Sequence, residues 1–407
     1  MPGALLHPFA SPRMSDAIRI TSGEGAVLRD DRGNQYIDGM AGLWYQNIGY
    51  GRQEMADAIA GQVRALGASH VFPPFTNAPA EEAAERIAAL SPMEGARVFL
   101  GSSGSEAVDT AMKLARIAHR EAGAPERQLI ISRERGYHGT AYGGTSAQGI
   151  DVNRDGFGPL VGEVVSVPAD NPEAMAMLFD ERGDEIAAVI TEPVQGAGGV
   201  FPPADGYLQG LRRLCDTHGA FLIFDEVITG FGRTGNWFAS QTYGVTPDLI
   251  TFAKAVTSGY VPFGGVVVGP AVGAALTKDP DFVLRHGFTY SGHQLGAVAA
   301  LTAIEVQQRE GLVDRATEIG TVLRPGLDAL LDDGLVADVR GVGAIWGMTM
   351  LPGVDATAVR DAMIARGVIV RSVFDHVVMC PPLVIDDDQL GQVLDGFAGV
   401  LAEQMGR

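Results

Sequence analysis

A chain of 407 residues, 46% hydrophobic and 19% charged, carries enough apolar surface for one large core and a smaller partner domain. Its formal net charge of -19 argues against binding nucleic-acid phosphates or anionic lipid, since both call for a basic footprint. Cys215 and Cys380 lie far apart and form no CxxC pair, so neither a disulfide framework nor a thiolate metal site is expected, and a reducing cytoplasm is the simplest location. Residues 1–8 lack a basic stretch followed by a long apolar run, so no signal peptide is expected. No segment offers about 18 unbroken apolar residues, so no membrane span is expected either.

From about residue 95 to 270 short apolar runs alternate with helical patterns. Arg97-Val98-Phe99-Leu100 leads through a Gly/Ser turn to Val108, Ala111, Met112, Ala115 and Ala118, whose spacing marks one face of a helix. Leu129-Ile130-Ile131, Ala187-Ala188-Val189-Ile190, Phe221-Leu222-Ile223-Phe224 and Leu249-Ile250-Thr251-Phe252 repeat the apolar run. Their lack of alternation predicts strands buried on both faces of an open α/β sheet. The runs end in chemically loaded residues: 101–106, 136–139, Glu192-Pro193, Asp225-Glu226 and Lys254. Open α/β sheets bind ligands at such carboxyl ends. After about residue 295 the pattern turns to amphipathic helix (314–332) and short strands such as Val368-Ile369-Val370. The expected division is an N-terminal segment, 1–48, belonging to a small domain, a large domain over 49–295, and a C-terminal α+β small domain over 296–407.

Asp225 follows a buried strand, where a carboxylate can bind a metal, stabilise a cation or cap the next turn. None of the eight histidines stands at ligand spacing from it, which weighs against a metal. Lys254 closes an apolar strand, a costly place for an ammonium unless it is paired or chemically used. It either snorkels to solvent or forms a Schiff base with a carbonyl cofactor. Gly101-Ser102-Ser103-Gly104-Ser105-Glu106 is either an ordinary N-cap or a phosphate cup at a helix N-terminus. No Walker lysine follows it, and no dinucleotide-type Gly-x-Gly-x-x-Gly turn occurs after a strand.

The order of these motifs resembles the class III aminotransferases, pyridoxal-phosphate enzymes of the aspartate-aminotransferase fold (fold type I). The most specific stretch is Phe224-Asp225-Glu226-Val227-Ile228-Thr229-Gly230-Phe231-Gly232-Arg233-Thr234-Gly235, followed by Pro247-Asp248-Leu249 through Lys254 and by Gly264-Gly265. The resemblance implies a mostly parallel central sheet covered by helices, with a smaller α+β domain beside it. It implies that Lys254 holds pyridoxal 5'-phosphate as a Schiff base and moves the substrate proton. Asp225 would keep the pyridine nitrogen protonated, so that the ring remains an electron sink. Ser103, Gly104 and Ser105 would receive the phosphate. Tyr137, with His138 beside it in Gly-Tyr-His-Gly, would stack on the ring, although ordinary core packing accounts for a lone tyrosine. Val227 would pack the other face and Glu192 would support the site. Thr289 resembles the threonine that reaches the partner subunit's phosphate, which implies a homodimer or a dimer of dimers. Gln294 stands where that family usually has proline.

Substrate choice rests on departures and matches. Thr140 and Ala197 occupy positions where ornithine- and 4-aminobutyrate-type members carry arginine and glutamate. Trp44, Phe9 and Phe72 fall at or near pocket positions of the ω-transaminases, which pair pyruvate or alanine with amines or β-alanine. Arg371 aligns with their mobile carboxylate-binding arginine; its plainer reading is a surface arginine paired loosely with Asp375. The expected reaction is ping-pong transfer of an amino group from a primary amine or ω-amino acid to a 2-oxo acid. Alternatives are a 2-oxoglutarate-dependent member, a racemase, aminomutase or decarboxylase of the same family, and a non-catalytic pyridoxal-phosphate-binding protein.

Overall fold

The computed structural model of the protein describes residues 4–406. Its centre is a seven-stranded sheet of β1 (Arg97–Gly101), β2 (Leu129–Arg133), β3 (Val164–Val167), β4 (Ile186–Thr191), β5 (Phe221–Asp225), β6 (Leu249–Phe252) and β7 (Gly264–Val268). The spatial order is β1-β7-β6-β5-β4-β2-β3. Neighbours from β3 through β6 run parallel, whereas β7 lies antiparallel to both β1 and β6. Sequence reading missed β3 and β7. The latter reads Gly-Gly-Val-Val-Val, and its two glycines sit where a Cβ would strike the backbone of β6 and β1: Phe252 O at 2.7 Å and Phe99 O at 2.2 Å.

Successive residues of each inner strand feed opposite faces of the sheet, as strand periodicity requires. Leu222, Phe224, Ile250 and Phe252 enter one apolar cluster; Ile223, Leu249, Val266 and Val268 enter the other. Both faces are covered, so the strands carry no polar alternation. The helix Gly104–Ala122 covers the second face with Val108, Ala111, Met112, Ala115 and Ala118, all buried.

A separate antiparallel sheet comprises Asp338–Val342, Ile345–Thr349, Arg371–Val373 and His376–Met379. Helices Leu312–Asp332, Ala356–Ala365 and Asp387–Gln404 pack with it. The N-terminal strand Gln35–Asp38 pairs in parallel with Val368–Ile369, and Ala26, Ile37 and Ile48 join the cluster of the C-terminal helices. Helix Gln294–Arg309 contributes Ala299, Ala303 and Val306 to that cluster and Ala297, Ala300 and Ile304 to the large sheet's cluster. Fully buried Arg233 ties these parts together. Its Nη1 donates to the carbonyls of Ala344 (3.1 Å) and Pro381 (2.6 Å), and its Nη2 donates to Asn47 Oδ1. Among the described residues no helix is long and apolar enough to cross a membrane.

Candidate active site

Asp225 is the last residue of β5 and Thr251 is its cross-strand neighbour on β6. That register lets Thr251 Oγ1 donate to Asp225 Oδ1 at 2.9 Å, with Val227 N donating to the same oxygen at 3.2 Å. His138 Nδ1 lies 2.8 Å from the other oxygen, Oδ2. The carboxylate is thus held in one orientation by three elements. Lys254 follows β6 after one residue and has a left-handed backbone, φ 49°, a conformation that costs a lysine on the order of 1 kcal/mol. Burial lowers its pKa, against the pull of Asp225 and Glu192, a shift toward the neutral, nucleophilic amine. Cost and effect coincide here, the pattern of a strained functional residue.

A cavity of about 190 Å³ is lined by Ser103, Gly104, Ser105, Tyr137, His138, Glu192, Asp225, Val227 and Lys254, among others. The structure therefore brings together the expected acid, lysine, ring contacts and Gly/Ser turn. Ser103 caps the helix Gly104–Ala122, its Oγ accepting from Glu106 N at 3.1 Å. The turn is an N-cap, as one of the two sequence readings has it, and it also opens onto the cavity. Among the described residues no acceptor meets the N–H of Gly104 or Ser105, which leaves two donors at the positive end of the helix dipole for an anion. A Cβ on Gly104 would stand 2.9 Å from Val227 Cγ1, so only glycine permits this close approach. Buried Glu192 accepts from Tyr137 N (2.8 Å) and Gly196 N (2.9 Å), and burial raises its pKa to about 7.

A second cavity, about 410 Å³, adjoins through Tyr137, Ile228 and Lys254. Phe9, Trp44, Ala197 and Arg371 line it, together with Ile150, Val152, Asn153 and Phe374. Asp375 lies 3.1 Å from His376, and among the described residues it forms no ion pair with Arg371. Among the described residues no hydrogen-bond or ion-pair partner meets the Arg371 guanidinium. Thr289 and Phe72 line neither cavity. Thr289 is exposed, and Phe72, 44% exposed, lies beside Gly287 of the same loop.

The family model described as aminotransferase class-III matches residues 10–401. The chain is a class III aminotransferase. It is 36% identical over 405 residues to the putrescine–pyruvate aminotransferase of Pseudomonas aeruginosa, covering 92% of this chain and 88% of that protein. To the β-alanine–pyruvate aminotransferase of the same organism it is 37% identical over 370 residues, covering 85% and 82%. The ω-transaminase of Pseudomonas jessenii in complex with PMP superposes with a TM-score of 0.95 at 30% identity, covering 99% of this chain and 96% of that one. The aminotransferase is accordingly a pyridoxal-phosphate enzyme of fold type I. The donor set of the smaller cavity fits that cofactor: unmet N–H groups for a phosphate, an oriented carboxylate for a protonated ring nitrogen, and a buried lysine amine for a carbonyl.

Sequence reading of this aminotransferase did not find the Thr251 and His138 contacts to Asp225, nor the 150–153 wall of the larger cavity. The only advance signal for Thr251 was a hydroxyl inside an otherwise apolar strand. For residues 150–153 there was none. No histidine stands at ligand spacing from Asp225 in sequence, whereas His138 reaches it across 87 positions; among the described residues no group of three candidate metal ligands occurs.

Proposed function

We propose that this aminotransferase moves the amino group of a primary amine or ω-amino acid to a 2-oxo acid, with pyruvate as acceptor. The observation that carries the reading is the unpartnered Arg371 guanidinium in the wall of a largely apolar cavity that also reaches Lys254. Such an arginine binds a carboxylate when one is present and leaves an apolar amine undisturbed. Ala197 and Thr140 supply no second charge for the distal carboxylate of 2-oxoglutarate. Two pyruvate-using relatives support the same acceptor.

In this reading Lys254 Nζ would hold the cofactor through its carbonyl and would accept the proton from substrate Cα. Asp225, fixed by Thr251 and His138, would keep the ring nitrogen protonated. Gly104, Ser105 and Ser103 would hold the phosphate, and Tyr137 and Val227 would flank the ring. Glu192 fixes the backbone of Tyr137. The bound cofactor supplies an electron sink for the pair left at Cα. Phe9 and Trp44 bound the amine, and Arg371 binds the carboxylate. Thr289 and Phe72 belong to the partner's site in a homodimer, a reading supported by their exposure together with Phe75 (62% exposed) and Tyr290 (64%). The large and small domains divide near residues 48 and 295, and an intracellular setting agrees with two buried free cysteines.

Arg371→Ala should raise the KM for pyruvate by about 10–100-fold, the value of a charge-assisted contact, and leave the KM for 1-phenylethylamine nearly unchanged. An unchanged pyruvate KM would remove Arg371 from the site. Faster turnover with 2-oxoglutarate than with pyruvate would move the acceptor, and product formation without consumption of any 2-oxo acid would place the chain with the racemases, aminomutases or decarboxylases.

A further inference from the structure

Since no side chain pairs with Arg371, its backbone decides where the guanidinium stands. That backbone begins a hairpin in which Arg371 faces Val378 and Val373 faces His376. Arg371, Ser372, Val373 and Phe374 all line the larger cavity, so whatever anchors this hairpin sets the shape of one pocket wall. The anchor lies outside the pocket, on the far strand.

Thr349 Oγ1 accepts from Arg340 Nη1 at 2.7 Å and shares a hydrogen bond of 3.1 Å with His376 Nδ1. His376 Nε2 lies 3.1 Å from Asp375 Oδ1. Arg340 also donates to Asp338 Oδ2 (2.7 Å) and to the carbonyl of Gly199 (2.6 Å). Its guanidinium lies over the ring of Phe201, 3.9 Å from the centroid. A second guanidinium, that of Arg135, lies 4.1 Å from the same centroid and pairs with Asp170. The edge of His376 meets the Phe201 ring at 5.3 Å and 81°.

One phenylalanine thus connects two guanidiniums and the hairpin imidazole. Its backbone exchanges hydrogen bonds with Gln195 (2.9 and 3.0 Å), in the loop that carries Glu192 and the cavity residue Ala197. The approach leaves no slack, because a Cβ on Gly199 would stand 2.4 Å from His376 Cδ2. Both sides of the pocket, the 192–201 loop and the 371–379 hairpin, meet at this stack.

We infer that Phe201, stacked with Arg135 and Arg340, and His376 are positioning residues that hold the Arg371 hairpin and thereby tune recognition of the substrate carboxylate. The inference rests on the reading of Arg371 given above. Cation–π contacts need the face of the ring, not its volume, which separates this role from packing.

The test compares Phe201→Leu, Phe201→Tyr and His376→Gln holoenzymes with Arg371→Ala, measuring KM for pyruvate and for 1-phenylethylamine, cofactor absorbance and Tm. Phe201→Leu keeps an apolar side chain and loses the ring; it should raise the pyruvate KM about three- to tenfold with the amine KM within about twofold. Phe201→Tyr restores the ring and should restore the pyruvate KM. His376→Gln, which lacks the ring edge, should shift the same constant and serves if Phe201→Leu fails to retain cofactor. Equal shifts in both KM values, or none in either variant, overturn the inference when Arg371→Ala has shown its own effect on pyruvate. An Arg371→Ala enzyme with unchanged pyruvate KM fails the underlying reading instead.

Discussion

Asp225 shows how much positioning a single carboxylate receives. Thr251, His138 and the backbone of Val227 hold its two oxygens, so the charge is presented in one direction rather than spread over rotamers. Asp225→Ala should lower kcat by roughly 10²–10³, the scale for removing a group that stabilises developing charge, with cofactor absorbance retained. Near-normal kcat with bound cofactor would remove that role. Asp225 and Lys254 were legible because a charge placed directly after an apolar run contradicts burial. The contacts that Thr251 and His138 make with Asp225 were not, since these residues lie 26 and 87 positions away and only the fold brings them to it.

The turn after β5 splits two adjacent carboxylates. Asp225 faces the cavity, whereas Glu226 turns into the protein and accepts from Ser240 N (2.9 Å), Thr229 Oγ1 (3.1 Å) and Ala239 N. Burial raises the Glu226 pKa from 4.5 to about 7. Between those values the folded chain binds a proton that the unfolded chain has released, so raising the pH costs stability there. The difference in unfolding free energy, wild type minus Glu226→Gln, should therefore fall by about 3 kcal/mol as pH rises from about 4.5 to 7, then level off. Urea unfolding across that range reads it; a flat difference would show Glu226 ionised throughout. The slope is informative even though the amide also disturbs the hydrogen bonds, because that loss does not vary with pH. Sequence periodicity located β5 and the turn, but it assigned the pair Asp225-Glu226 to one loaded strand end. Alternation across the turn separates them, and only the packing partners of Glu226 reveal that it serves structure.

Arg233 joins the large sheet's side of the molecule to Asn47 near the N-terminus and to Ala344 and Pro381 near the C-terminus. Arg233→Ala would leave a large void and strand buried acceptors. We expect about 3–5 kcal/mol of lost stability in urea unfolding of the holoenzyme. A loss under about 1 kcal/mol, within the range of surface substitutions, would show that these segments dock without it. The arginine was visible in the sequence only as part of a family-like motif, since its three acceptors lie 111, 148 and 186 positions away.

Local pattern was sufficient for the parallel strands β2, β4, β5 and β6 and the helix after the Gly/Ser turn, and it marked Asp225 and Lys254 as charges at the ends of buried runs. Each of these is dictated within a few residues, by hydrophobic period, by capping or by a charge at the end of a buried run. The antiparallel place of β7, the edge strand β3, the wall at residues 150–153 and the stack on Phe201 were decided by contacts between distant segments. A glycine-rich strand carries little periodic signal, and a pocket wall has no local signature at all. Thr289 and Phe72 belong to the same class: the sequence marks them by resemblance, but folding one chain leaves them on its surface. Chemistry is written in short motifs, whereas the pocket that selects the substrate arises from long-range packing, which no short stretch of sequence specifies.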